Sequence, residues 1–399
     1  MAPNKIFSRN NNNHIERPRV VSGGVRILML SSDKNIFKEY APVRDRMKDY
    51  GSICEELHII VFTKRGYIKE TIEDNVFLYP TNSFSRWWYV FDAVKIGRKI
   101  QGINLVTAQD PFETGFAGWL IARTLKAKLQ IQIHTDFLSP YFTEENFFNK
   151  IRVFLAKFLL PKADGIRVVS ERIGASLKTI NYKLKTIPAV LPIFIDAQKI
   201  MSAKAQFDIH KKYPQFNFII LTVARLETEK NIFLALLVMK KLIAEYPNVG
   251  FVIVGDGSEI ENLQFEIKNL KLRDNVIFET WQDELAPYYK TSDLYLSTSN
   301  YEGFGMSIME AALSGCPIVA TDAGIASYTL KNGSGALVCP VGDNECIGKQ
   351  IRSFLRDPEL RKRISRTAMA ETLRSVPKDK QAYLLEYKKL WEKCLIGNA

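Results

Sequence analysis

The sequence predicts an α/β protein of two doubly wound domains, each a parallel sheet with helices on both faces. Three observations carry that prediction. A chain of 399 residues exceeds one ordinary hydrophobic core and suits two domains of roughly 150–200 residues. Short apolar runs of strand length alternate with helix-like segments, the pattern of a parallel sheet with helical crossovers. The same plan begins again in the second half, around Phe218–Val223.

Val25–Ser31 is the first strand, and Ser31-Ser-Asp-Lys-Asn opens a loop after it. Glu56–Phe62, Asn104–Ala108, Leu129–His134 and Gly165–Ser170 follow as further strands, each short, apolar and bounded by polar or helical stretches. Lys185–Asp196 carries Pro188 and Pro192 and reads as a connection. The second sheet is expected from Phe218–Val223, Gly250–Val254, Asn275–Glu279, Leu294–Ser297, Pro317–Ala320 and Gly335–Cys339. Lys380–Cys394 has the periodicity of an amphipathic helix.

The composition is 46% apolar and 25% charged, a globular balance. No run approaches the ~20 apolar residues that a membrane-spanning helix requires. Met1–Gly24 lacks the apolar core of a secretory leader and, with its asparagine run, reads as a disordered tail. Five scattered cysteines, an odd number, argue for a reducing, cytoplasmic setting. Four histidines without ligand spacing give no zinc site.

Two segments carry chemistry. Glu302-Gly-Phe-Gly-Met-Ser-Ile-Met-Glu310 follows the strand-like Asp293-Leu-Tyr-Leu-Ser. Strand, glycine turn and helix together make an anion site, because glycines admit close backbone approach and the first helical N–H groups are unpaired. Carboxylates are poor phosphate ligands but good acceptors for sugar hydroxyls, so the pattern suits a nucleotide-linked sugar. Alone, such a pair of glutamates is more often a solvated face. Upstream, Arg225 and Lys230 straddle the end of the strand Phe218–Val223, where both can converge on a diphosphate, although a lone pair of this kind is more often ordinary surface. Ligands in doubly wound sheets bind beyond the carboxyl ends of strands, and Arg225, Lys230, Glu302 and Gly303 all fall there.

Arg225-Leu-x-x-x-Lys230-Asn and Glu302-x7-Glu310, with Phe251-Val-Ile-Val-Gly-Asp-Gly-Ser-Glu between them and Gly315-Cys-Pro-Ile-Val-Ala-Thr-Asp after, resemble in kind and order the retaining glycosyltransferases of family 4. These belong to the group 1 glycosyl transferases and have the GT-B fold. The resemblance is strong over about residues 160–350. It implies two Rossmann-like domains facing across a cleft: residues 25–195 on the acceptor side and 196–375 binding the nucleotide sugar. A terminal helix in 376–399 would cross back to the first domain.

The resemblance also assigns roles. Arg225 and Lys230 would stabilise the leaving diphosphate, assisted by the helix start after Gly305. Glu310 would bind the ribose, and Glu302 the donor sugar, with the backbone of Gly303, Phe304 and Gly305 nearby. The base would sit near Trp281. With two fixed cations no metal and no cofactor is expected, and the chain lacks an obvious Asp-x-Asp site. In the first domain, His134 would face a sugar hydroxyl, with Asp136 beside it; a structural histidine is the alternative. Asp110 would either face the acceptor or hold a turn. Retention is expected by same-face attack. The donor leans towards a UDP-hexose over GDP-mannose, and the acceptor is a glycan or lipid-linked molecule. The competing readings are a sugar-nucleotide epimerase and an inactive binding module.

One feature departs from the family. Its glycine pair after the first strand is missing, and Ser31–Phe37 stands there instead. Lys34 would substitute electrostatically, or this loop would serve the acceptor.

The net charge of +12 allows nucleic acid, an anionic membrane or anionic substrates as partners. With no recognition motif for nucleic acid, that partner is not expected. Phe147–Leu160 and Ser85–Phe91 combine apolar residues with Lys150, Arg152, Lys157 and Arg86. They read first as a core-facing helix and core aromatics, and second as interface elements on the inner face of the plasma membrane.

Overall fold

The computed structural model describes residues 24–179 and 183–396. The expected N-terminal tail, apart from Gly24, lies outside them.

Eight strands form the first sheet: β1 (Arg26–Ser31), β2 (Glu56–Val61), β3 (Glu70–Glu73), β4 (Val76–Pro80), β5 (Leu105–Ala108), β6 (Lys128–Ile133), β7 (Gly165–Val168) and β8 (Ala189–Val190). Their order is β3-β4-β2-β1-β5-β6-β7-β8. Every pairing is parallel except β3 with β4. Strand β1 lies inside this sheet and is covered on both faces, so Ile27, Leu28, Met29 and Leu30 are all fully buried. That is why it reads as an unbroken apolar run rather than an alternating one.

The second sheet uses β9 (Phe218–Val223), β10 (Val249–Val254), β11 (Val276–Glu279), β12 (Leu294–Ser297), β13 (Ile318–Thr321) and β14 (Leu337–Cys339). It is parallel throughout, in the order β11-β10-β9-β12-β13-β14. In both sheets the order reverses beside the first strand of the unit, β1 or β9, which opens a crevice at the carboxyl ends there.

Three parts of the architecture depart from the sequence reading. The ribbon β3–β4 was not expected: Glu-Thr-Ile-Glu of β3 is too polar to signal a strand and forms one only by pairing along the sheet edge. Strand β8 lies inside the proline-bearing connection, paired to β7 over Ala189 and Val190. The cysteines are also not all scattered. Cys339 closes β14, the chain turns at Gly342 with φ +82°, and Cys346 enters the next helix to form a disulfide with Cys339. Cys54, Cys316 and Cys394 are free, so the cysteine count no longer argues for a reducing compartment.

The terminal helix Lys380–Ile396 packs on the first sheet. Tyr383, Tyr387 and Trp391 are buried, Tyr387 stacks on Tyr50 at 4.3 Å, and Trp391 meets Tyr387 edge-on at 5.0 Å. Arg167 of β7 is buried beneath this helix. Its guanidinium donates to Gln132 Oε1 (2.7 Å), the Leu191 and Pro192 carbonyls and the Tyr383 hydroxyl, all neutral acceptors.

The helix Phe147–Leu159 corrects the core reading of that segment. Its buried side is made by Asn149, Ala156 and Leu159. Phe147, Ile151, Phe154 and Phe158 recur at helical spacing along the opposite side and are exposed, Phe147 by 71% and Phe154 by 74%. Trp87, 72% exposed, packs against Phe148 at 6.1 Å, and Trp88 and Phe91 extend the same surface. Among the described residues no helix is long and apolar enough to cross a membrane.

Candidate active site

The carboxyl ends of β9 and β12 bring Lys230 and Glu302 together. Lys230 lies in the single turn Thr228–Lys230, and Asn231, at φ +45°, caps the next helix by accepting from the Leu234 amide. Asn231 also donates to Asn300 Oδ1 (2.9 Å), joining this turn to the loop after β12. Lys230 Nζ then reaches Glu302 Oε1 at 2.6 Å, and Ser299 Oγ donates to the same oxygen at 2.9 Å. Both ends of the ion pair are mostly enclosed, with side-chain exposures of 14% and 13%. Arg225, by contrast, is 72% exposed and pairs with Glu229 at 3.0 Å.

The helix Met306–Leu313 starts after Gly305, whose φ of +99° suits glycine, and no side chain caps it. Its first N–H groups are therefore open to an anion. Glu310 sits about one turn into this helix, because Gly303–Gly305 are outside it. It accepts from the Tyr289 hydroxyl at 3.0 Å, and burial raises its carboxyl above the ordinary range. Phe304 is buried beneath the turn, and Trp281 stands half exposed in the loop after β11.

Gly303 ties the two domains. A β-carbon on it would lie 1.7 Å from the His134 carbonyl oxygen, so only glycine permits this approach. Ser170 Oγ donates to the Gly303 carbonyl at 2.8 Å, and Arg172 bonds to Asp322 and to the Gly324 and Ala326 carbonyls. His134, just past β6, is thereby set beside the glycine turn.

The imidazole of His134 is held by a polar chain. Gln132 Oε1 accepts from Arg167, which can only donate, so it also accepts from His134 Nε2 at 3.2 Å. Nε2 therefore carries the proton and Nδ1 remains an acceptor. Burial, with Arg167 and Arg46 nearby, holds His134 down at about 3, so the ring is neutral. Asp136 is buried, its Oδ1 has no hydrogen-bond partner, and it lines a cavity of about 400 Å³ shared with Asn300 and Asp322 of the second domain.

Asp110 does hold a turn: Oδ1 accepts from the Phe112 amide at 2.8 Å. It also lines a larger first-domain cavity of about 900 Å³ with His134 and Lys34. The Ser31–Phe37 loop thus borders the first domain's own cavity. Sequence reasoning missed Ser299, Tyr289, Gln132, Arg167 and Arg46. Of these, the two glutamines in Gln130-Ile-Gln-Ile were a usable signal, since polar residues inside a buried strand need partners.

Residues 204–370 match the family model of "Glycosyl transferases group 1". Among curated relatives, alpha-monoglucosyldiacylglycerol synthase of Streptococcus pneumoniae is 28% identical over 57% of this chain and 54% of its own. N-acetyl-alpha-D-glucosaminyl L-malate synthase of Bacillus anthracis is 26% identical over 54% of this chain and 56% of its own. The chain spans about half the length of these relatives. Among solved structures, Anabaena HepE in complex with UDP and glucose superposes with a TM-score of 0.73 at 18% identity, over 92% of this chain and 99% of that one. Sucrose-phosphate synthase from Thermosynechococcus elongatus gives 0.76 at 18% identity, over 92% and 98%. With two doubly wound sheets meeting at Gly303 and His134, the chain has the GT-B fold, and its residues 204–370 are similar to the glycosyl transferases group 1.

Proposed function

We propose that this protein is a retaining, metal-independent glycosyltransferase that moves a hexosyl group from a nucleoside-diphosphate sugar to a lipid-linked or glycan acceptor at an anionic membrane surface. The observation that carries this reading is the enclosed Lys230–Glu302 pair, set beside an uncapped helix start and against His134 of the other domain. In transfer, the acceptor hydroxyl oxygen bonds to the anomeric carbon while the bond from that carbon to the phosphate oxygen breaks. The diphosphate leaves with the electron pair, and on the same face takes the acceptor's proton. Lys230, Arg225 and the helix N–H groups meet the charge that develops on the leaving group. Glu302 uses Oε1 for Lys230 and Ser299 and turns Oε2 to a sugar hydroxyl. Glu310 accepts from the ribose, Trp281 borders the base, and neutral His134 offers Nδ1 as an acceptor.

The membrane part rests on the exposed Phe147–Phe158 stripe, continuous with Trp87, and on the neighbouring Arg86, Lys150 and Lys157. Aromatic rings at the headgroup level and cations beside them are how a peripheral face holds anionic lipid, at about 1 kcal/mol per well-placed cation. An inner-leaflet, cytoplasmic setting fits a nucleotide-sugar donor.

The test is release of nucleoside diphosphate from UDP-glucose, other UDP-hexoses and GDP-mannose, with lipid and oligosaccharide acceptors and with EDTA. Acceptor-dependent release that survives EDTA, with product of unchanged anomeric configuration, is expected; conversion of the free sugar nucleotide without acceptor would make the protein an epimerase. Co-sedimentation with anionic vesicles should fall when Arg86, Lys150 and Arg152 are reversed in charge.

A further inference from the structure

The first-domain cavity carries more positive charge than its own carboxylates answer. Arg46, from the helix Pro42–Gly51, lines it half-buried, and Lys34, Arg86 and Arg167 line it as well. Among the described residues none of these four is paired with a carboxylate: Arg167 reaches neutral oxygens, and Arg86 lies over the rings of Trp87 (5.3 Å) and Phe148 (5.7 Å). The carboxylates in the same walls are already engaged. Glu113 is paired with Arg152 at 3.0 Å, and Asp110 holds its turn. Burial pushes the Asp110 carboxyl up to about 6, so near neutral pH it is largely ionised and answers only part of the four cations' charge. Lys34 and Arg86 are exposed, Arg46 is half-buried and Arg167 is buried; a cationic surplus of this kind draws an anion, and guanidinium groups match the geometry of phosphate oxygens.

The same cavity opens at Trp87 and Phe148, which line it and are also largely exposed to solvent. Phe148 touches Phe147, so the mouth continues into the exposed apolar stripe. Cationic interior and aromatic lip are therefore one continuous surface. Resting on the transferase reading above, we infer that the acceptor is an amphiphile bearing a phosphate next to its apolar chain. Arg46, with Lys34 and Arg86, holds the phosphate, and the chain leaves over Trp87 and Phe148 into the lipid surface. His134 lines the same cavity, which puts the hydroxyl that receives the sugar on the side nearest Gly303 and the donor.

The full chain is titrated by tryptophan fluorescence with dodecyl phosphate, with dodecyl maltoside and with inorganic phosphate, the alkyl probes below their micelle concentrations. Dodecyl phosphate is expected to bind at least about tenfold more tightly than either of the others, with the preference shrinking as salt is raised. Arg46→Gln should reduce the preference over the maltoside to about threefold or less, Arg46→Lys should restore most of it, and Trp87→Ala with Phe148→Ala should weaken both alkyl probes alike. Should Arg46→Gln not fold, Lys34→Gln with Arg86→Gln makes the same comparison. Equal binding of the two alkyl probes, tightest binding by inorganic phosphate alone, or a preference unmoved by these variants would overturn the inference. Calorimetry of UDP and GDP binding to the same wild-type preparation separates the two levels. A nucleotide that binds without any alkyl-phosphate preference leaves the transferase reading standing and refutes the acceptor class, whereas failure of both nucleotides to bind counts against the transferase reading itself.

Discussion

The two domains share one architecture and handle charge at their carboxyl ends in opposite ways. In the second, cation meets anion: Lys230 with Glu302 at 2.6 Å and Arg225 with Glu229 at 3.0 Å, the four residues lying in two segments of the chain. In the first, Arg46, Lys34, Arg86 and Arg167 share a cavity with no carboxylate partner among the described residues, and they come from four separate places in the sequence. A half-site that releases a diphosphate must bind its charged ligand and let the product go, and internal ion pairs compete with the ligand and temper its hold. A half-site with unanswered cations instead waits for an anion. On the proposed function, the contrast would put the donor on one side and the acceptor on the other.

The largest effect should come from the element that joins the halves. Trp391 is buried where the terminal helix crosses to the first sheet. Trp391→Ala is expected to cost about 3–5 kcal/mol in denaturant unfolding. A loss below about 1 kcal/mol would mean that the helix is a dispensable strap.

Next is the donor side. Lys230→Ala removes the counter-ion of enclosed Glu302 and, on the proposed function, a partner of the diphosphate, so turnover should fall by about 10²–10³ while circular dichroism is retained. Arg225→Ala should fall in the same direction and by less, given its exposure. Wild-type turnover by both variants would erase the distinction between the domains.

Glu310 and Glu302 sharpen the comparison within the donor side. Glu310→Ala should weaken nucleoside diphosphate binding by about tenfold, the loss of a hydrogen bond to a charged acceptor, while Glu302→Ala should leave that affinity nearly unchanged and lower turnover. Calorimetry beside steady-state rates reads both. Equal loss of affinity in the two variants would place both carboxylates on the nucleotide.

The smallest effect concerns protons. His134 titrates near 6.5 in the unfolded chain but at about 3 when folded, so between those values the unfolded state binds more protons. Its contribution to stability is full above the upper value and is lost as pH falls through the window. Asp110 acts in reverse: raised from 3.8 to about 6, it adds stability at low pH that is lost as pH rises through that range. His134→Asn should therefore flatten the rise of stability from pH 4 to 6 by up to ~1.4 kcal/mol per pH unit. Urea midpoints at three pH values check this, and parallel curves would mean that His134 is accessible to water.

How legible each side was follows the same division. Arg225, Lys230, Glu302, Gly303, Gly305 and Glu310 lie in two segments, because the strand-end loops of one sheet present their chemistry as local runs. Trp281 was reached through the loop it occupies. Arg46 and Arg167 had no such signal: one is an ordinary arginine on a polar helix, the other a cation in a strand that reads as buried and apolar. The helix Phe147–Leu159 misled in another way. Its periodicity marked an apolar face correctly, but a hydrophobic pattern cannot say whether that face meets a core or solvent.

By itself the sequence determined the alternation of strands and helices and the division into two sheets, and it supplied the residues proposed for the donor side, since each rests on periodicity or on groups a few residues apart. Tertiary structure decided the rest. It paired β3 with β4 at a polar edge, joined Cys339 to Cys346, turned the Phe147–Phe158 stripe outward, and gathered Arg46, Arg86 and Arg167 around one cavity. These depend on distances between residues far apart in the chain, and such distances exist only once the sheets have packed.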